Sequence, residues 1–70
     1  MAEIIYDGAE KLLYFYDCEL FRVDYNKGSL KRLSFQDFIR EIDTCPDESI
    51  NWKRKMIVQY AEKVGILRNE

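Results

Sequence analysis

The chain has 70 residues, of which 47% are hydrophobic and 34% are charged, and its formal net charge is −2. This composition is typical of one small globular domain over residues 1–70, and it lacks the basic excess by which dedicated nucleic-acid-binding domains neutralise phosphates. Because no stretch reaches the ~18 apolar residues of a membrane span and the start does not resemble a signal peptide, we expect a cytoplasmic protein without membrane association.

Residues before Ser34 have the pattern of β-strands, with short apolar runs separated by Asp and Gly. The runs at residues 3–6, 12–16, 20–25 and 29–33 predict a three- or four-stranded antiparallel meander. In the third run Phe21, Val23 and Tyr25 lie on one face. Gly28 is suited to the left-handed conformation of a short hairpin loop.

An alternative for residues 8–22 is a single helix. Asp7 could cap it, with Glu10 three positions later, and the following residues are good helix formers. Its apolar side chains would point in all directions, which a 70-residue protein can hardly cover. The sequence favours the meander without excluding the helix.

The first helix is strongly indicated after Ser34, which is a good N-cap residue. An apolar stripe then recurs at helical spacing, and the helix should end near Asp43. The stripe consists of Phe35, Phe38, Ile39 and Ile42. Together with Phe15, Phe21 and the aliphatic residues, it is sufficient to fill the core.

A second helix is predicted from Pro46, a residue favoured at the first helical position, to about Val64, with Gly65 as its stop. Asp47 and Glu48 would then lie at the positive end of the helix dipole. The helix carries two neighbouring apolar stripes. One comprises Ile50, Ile57, Ala61 and Val64, and the other comprises Trp52, Met56 and Tyr60.

The sequence offers little for catalysis or for binding a cofactor or metal. It contains no histidine, which removes the commonest general base and most zinc sites. Cys18 and Cys45 are far apart and are predicted to be reduced, small buried residues. The acids Asp43, Asp47 and Glu48 are explained by a solvated loop. We therefore expect no enzyme and no cofactor.

The most informative functional feature is the aromatic content, five Tyr, four Phe and one Trp. If the Ile50 stripe faces the sheet, Trp52, Met56 and Tyr60 form an exposed ridge, and Trp, Tyr and Met are enriched at protein interfaces. This ridge predicts a binding site for another protein or for a second copy of the chain.

An alternative function uses the cations beside Trp52. Lys53, Arg54 and Lys55 could contact phosphates, with the indole stacking on a base. Three consecutive helical residues spread around the circumference, however, so a solvated surface explains them better.

The sequence thus predicts an α+β fold, a three- to four-stranded antiparallel β-meander followed by two helices packed on one face. The expected function is that of a small protein-binding module, an inhibitor, adaptor or subunit, that forms homo-oligomers. Its size and acidity are typical of proteins encoded by phages and other mobile elements. The alternative is a nucleic-acid-binding regulator that uses the last helix.

Overall fold

The computed structural model of the protein describes residues 1–67. Its elements are the strands β1 (Glu3–Asp7), β2 (Lys11–Tyr16), β3 (Glu19–Asp24) and β4 (Ser29–Leu33), then the helices α1 (Phe35–Asp43) and α2 (Ile50–Lys63). The strands form one antiparallel sheet in the order β1-β2-β3-β4. The α+β prediction is confirmed, and residues 8–22 are largely strand rather than helix. Neither of these two helices is long and apolar enough to cross a lipid bilayer.

Two of the hairpin loops contain residues with a positive φ. Asp17 and Cys18 form the two-residue loop between β2 and β3, and both have a positive φ, as the tight turns of twisted hairpins require. Between β3 and β4, Gly28 adopts the expected left-handed conformation with φ of 64°. The Asp24 carboxylate accepts hydrogen bonds from the amides of Lys27 and Asn26, both at 3.0 Å, and these bonds lower its pKa. The Asp24 side chain therefore closes the loop by binding its backbone amides.

Helix α1 forms as the sequence predicts. The Ser34 side chain accepts a hydrogen bond from the Asp37 amide at 3.1 Å, and Phe38 and Ile42 are fully buried. The core lies between the two helices and one side of the sheet. It consists of Leu13, Leu20, Leu33, Phe38, Ile42, Cys45 and Tyr60.

Helix α2 begins later than predicted, at Ile50 rather than at Pro46. A helix starting at Pro46 would need Cys45 as its cap, but that thiol is buried and lies 3.3 Å from the Glu41 carbonyl. Ser49 instead accepts a hydrogen bond from the Trp52 amide at 3.1 Å and caps the helix. Asp47 and Glu48 consequently lie in the connection and not in the first helical turn.

The end of α2 agrees with the sequence prediction. Gly65 has φ of 86°, the left-handed conformation that commonly terminates helices. The Ile66 amide then donates to the Ala61 carbonyl at 2.9 Å, which returns the chain toward the last helical turn.

Strand β3 presents its most apolar face away from the helices, which corrects the placement of Phe21 in the core. Directly paired residues share a face, and Phe21 pairs with Tyr14 while the buried Leu13 pairs with Arg22. Arg22 and Leu20 therefore occupy the helix side. Phe21 and Val23 lie on the side that neither helix covers.

The open face of the sheet

The side of the sheet opposite the helices is called here the open face. Its members follow from the strand register, because residues paired across antiparallel strands point the same way and alternate residues point oppositely. The open face consists of Ile4, Asp7, Leu12, Tyr14, Tyr16, Glu19, Phe21, Val23, Tyr25, Leu30 and Arg32. Most of these side chains are apolar or aromatic, so the sheet has two apolar faces and only one of them is covered.

A cluster of charges lies on the helix side of the sheet, the side on which Leu13 and Leu20 are buried. Glu41 on α1 accepts hydrogen bonds from the Lys11 ammonium at 2.9 Å and from the Arg22 guanidinium at 2.7 Å. Lys11 also contacts the Glu41 carbonyl at 2.7 Å and the Thr44 hydroxyl at 2.9 Å. Because these polar residues of β2 and β3 are held against α1, their apolar neighbours in sequence point to the open face.

A β-bulge in β1 decides which residues of that strand reach each side. The register shifts between Ile4 and Tyr6, so that Tyr6 pairs with Leu13 and Asp7 pairs with Leu12. Tyr6 consequently packs toward Trp52 of α2, with ring centroids 6.2 Å apart. Asp7 reaches the open face, which it would miss in an unbulged strand.

The centre of the open face is apolar. Tyr14 and Phe21 stack with their ring centroids 5.1 Å apart and an interplanar angle of 18°. Beside them Leu12, Val23 and Leu30 form a continuous row across three strands. Leu30 is 62% exposed. A contiguous apolar surface on a small protein commonly marks an interaction site.

Polar contacts lie at both ends of this apolar centre. At one end the Tyr25 hydroxyl donates to Asp7 at 2.8 Å, which raises the pKa of Tyr25. At the other end Arg32 pairs with Glu19 at 3.1 Å. An apolar centre with a solvated polar rim is the usual arrangement of a protein-binding surface.

The predicted exposed ridge of Trp52, Met56 and Tyr60 is wrong, because all three side chains pack toward the core. Tyr60 is only 2% exposed, and its ring lies 5.5 Å from that of Phe15. Trp52 and Met56 are partly buried. Of the stripe predicted to face the sheet, Ile57 and Val64 pack against the core and Ala61 is buried, whereas Ile50 at its start is 59% exposed.

Tyr60 is held by a contact that sequence periodicity does not reveal. Its hydroxyl donates a short hydrogen bond to the Glu3 carboxylate, which also accepts from the Lys63 ammonium at 2.7 Å. Burial, then this hydrogen bond, raise the pKa of Tyr60, while the bonds from Lys63 and Tyr60 lower the pKa of Glu3. The contact joins β1 to α2 on the side of the helix where Tyr60 is buried.

The basic residues of the nucleic-acid alternative do not form one stripe. The Lys53 ammonium donates to the Asp43 carbonyl at 2.8 Å and is directed to the connection between the helices. Arg54 and Lys55 are exposed on other parts of the helix surface. Nucleic-acid binding stays a prediction, without added support from this geometry.

A concavity of about 490 Å³ lies between the β1–β2 loop and the α1–α2 connection, lined partly by Tyr6, Lys11 and Asp47. The Lys11 ammonium in this concavity already donates hydrogen bonds to three oxygen atoms, so it is not a free nucleophile. Within residues 1–67 no cluster of three or more metal-ligating side chains occurs.

The two cysteines have different environments. Cys45 is fully buried, as expected, and burial raises the pKa of its thiol. Cys18 is exposed in the tight turn between β2 and β3, which corrects the expectation that both thiols are buried. Its exposure follows from the two-residue loop, where no other element covers the side chain.

Comparison with known proteins gives one partial similarity. A stretch of 42 residues, 59% of this chain, is 43% identical to part of a leucine–tRNA ligase from Azoarcus sp. (strain BH72). The chain spans about 5% of the length of that ligase, too little to assign it to the family. No protein-family model matches the chain, and no solved structure matches it.

Proposed function

We propose that the chain is a small protein-binding module and that the open face is its binding surface. The observation that carries this proposal is the second apolar face of the sheet, with its Tyr14–Phe21 stack, its exposed Leu30 and its polar rim. Burying such a face against another protein removes apolar area from water, the main favourable term in most protein associations. The proposal assigns no catalytic group, and the protein acts as an inhibitor, adaptor or subunit in the cytoplasm.

The open face replaces the α2 ridge as the proposed site. Trp52 and Met56 are partly buried in this fold, and Tyr60 is already a core residue, so truncating them would disturb the fold before it disturbed binding. Open-face side chains such as Leu30 and Val23 lie outside the core cluster. They can therefore be changed with less effect on folding.

The proposal is tested by placing a photo-crosslinking amino acid at Leu30 in cells that make the protein. The matched control is the same substitution at Val58, an aliphatic residue that is also about half exposed but lies on α2. We expect defined protein adducts from position 30, lost when Val23→Lys is added, and none from position 58.

Two results would contradict this proposal. The first is the absence of any protein adduct at position 30 in a variant whose circular dichroism matches that of the parent. The second is equal crosslinking at positions 30 and 58, which would indicate random collisions rather than a surface built for binding.

A further inference from the structure

The open face has three charged side chains, and their positions restrict what can cover it. Asp7 lies at one corner, and Arg32, with its intrachain partner Glu19, lies toward the opposite end. One row across the sheet runs Ile4, Tyr14, Phe21, Arg32, and the next runs Asp7, Leu12, Val23, Leu30. The first row ends in a cation on edge strand β4. The second begins with an anion on edge strand β1. The arrangement is suited to a partner with the opposite order of charges, which a second copy of the same face can supply.

From this arrangement we propose that a second copy of this chain occupies the open face, in a dimer whose two-fold axis runs parallel to the strands. This inference rests on the proposed binding function of the open face and names its partner. The axis places β2 of one copy over β3 of the other, and β1 over β4. Each row of one copy then lies over the same row of the other copy, with its four residues in reverse order, as a self-complementary two-fold interface requires.

The contacts across this interface pair aromatic with aromatic residues and bring opposite charges near each other. Tyr14 of one copy lies over Phe21 of the other, so that the two aromatic stacks cover each other at the ~10 Å spacing of packed sheets. Asp7 lies over Leu30 of the other copy. Because Arg32 is two residues further along β4, about 7 Å away, its long side chain can reach that carboxylate.

A third contact across the interface lies in the row next to the Tyr14–Phe21 stack. Tyr16 and Glu19 pair across β2 and β3, so the same axis places the Tyr16 hydroxyl of one copy over the Glu19 carboxylate of the other. The hydroxyl can donate a hydrogen bond to the carboxylate. Glu19 and Arg32 already pair within one chain, but both are solvated and free to form additional contacts at the rim.

An alternative two-fold axis also lies in the plane of the interface but runs perpendicular to the strands. The charges disfavour this axis. That axis would place β4 over β4 and β1 over β1. The two Arg32 side chains would then lie near each other, as would the two Asp7 side chains, and like charges repel. Only the axis parallel to the strands brings opposite charges together.

The footprint sets the expected strength of the dimer. Four strands at ~4.8 Å spacing and about six residues of length cover roughly 400 Å² per copy in projection. A footprint of this size is typical of a small interface, so we expect a dimer that dissociates on dilution.

Sedimentation equilibrium of the purified protein over a wide concentration range tests the dimer. The apparent mass should rise from that of one chain toward that of two. Asp7→Arg and Arg32→Asp should each weaken dimerisation on the order of tenfold, and combining them should restore it because the opposite charges meet again. The matched control is Lys31→Asp, the same change of charge on the same strand but on the other side of the sheet, which should leave dimerisation unaltered.

Crosslink mapping on the purified protein gives a second measurement that does not depend on the charge variants. A photo-crosslinker at Leu30 should attach to β1 of the other copy, near Asp7. Attachment to β4 would overturn the proposed axis. Failure of the double variant to restore the dimer would overturn the charge pairing.

The two proposals fail in distinguishable ways. A protein that sediments as a single chain at every concentration, while position 30 crosslinks in cells to a different protein, overturns the second copy and leaves the binding function standing. A single chain without adducts at position 30 overturns both.

Discussion

Tyr14 and Phe21 face each other across β2 and β3 with their rings stacked 5.1 Å apart, on the side of the sheet opposite α1 and α2. Phe38, by contrast, is fully buried between the sheet and the helices. Two phenylalanines of the same chain thus have the same chemistry and different environments, because Phe21 is only half-buried. This difference separates the residues that hold the fold together from those available to a partner.

Replacing each of these phenylalanines by alanine should give very different losses of stability. We expect Phe38→Ala to lower the free energy of unfolding by roughly 3–5 kcal/mol, which approaches the whole stability of so small a domain. Phe21→Ala should cost about 1–2 kcal/mol, from the cross-strand pair and partial burial. Urea unfolding of the dilute protein measures both. Equal losses would mean that Phe21 is also a core residue.

Removing the Glu41 carboxylate should loosen the packing of α1 on the sheet. Glu41→Gln takes the ionic acceptor away from Lys11 and Arg22, which are largely shielded from water, and we expect a loss of about 2–3 kcal/mol. Asp37→Asn is the matched control, since its pair with Arg40 is solvated and should contribute only ~0.3–0.5 kcal/mol. Thermal melts compare the two. Similar small losses would show that the Glu41 cluster contributes no more than a surface pair.

The Glu3 contact predicts a pH dependence of stability. Its pKa is lowered from 4.5 in the folded state by hydrogen bonds from Lys63 and Tyr60. A lowered folded pKa stabilises the protein above the unfolded value, and this stabilisation is lost as the pH falls below about 4.5 through the folded pKa. Melting temperatures of the parent and of Glu3→Gln should therefore converge toward low pH. A constant difference between them would contradict the linkage.

The two thiols should react at different rates with an alkylating reagent. Cys18 is exposed and should be modified in the folded protein, whereas Cys45 is buried with a raised pKa and should react only after unfolding. Mass spectrometry of digested protein, with and without urea, measures this. Modification of Cys45 in the native protein at the rate of Cys18 would show that the α1–α2 connection opens readily.

The sequence predicted the elements whose signals are local. The Ser34 cap, the Phe35–Ile42 stripe and Gly28 in its loop depend on residues within a few positions of one another. The start of α2 was mispredicted because Pro46 and Ser49 both carry a helix-start signal. The choice between them depends on Cys45, which is buried against residues distant in sequence.

The faces of β3 and α2 could not be predicted because they depend on contacts between residues distant in sequence. Glu41 binds Arg22 and Lys11, which precede it by 19 and 30 positions, on the side of the sheet where Leu13 and Leu20 are buried. Glu3 binds Tyr60, 57 positions later, whose side chain is part of the core. Apolar periodicity alone contains neither pairing. The candidate site was therefore located only by the structure.

The strand order has a consequence for how the protein folds. Each strand pairs with its predecessor through a loop of two to four residues, so little chain entropy is lost in closing each hairpin. Proteins dominated by such local pairings fold quickly, and we expect refolding within milliseconds. This strand order allows the sheet to form one hairpin at a time, independently of α2. In a sheet without its helices, Leu13 would be as accessible as Tyr14, so it is the packing of α1 and α2 that makes the two sides of the sheet different.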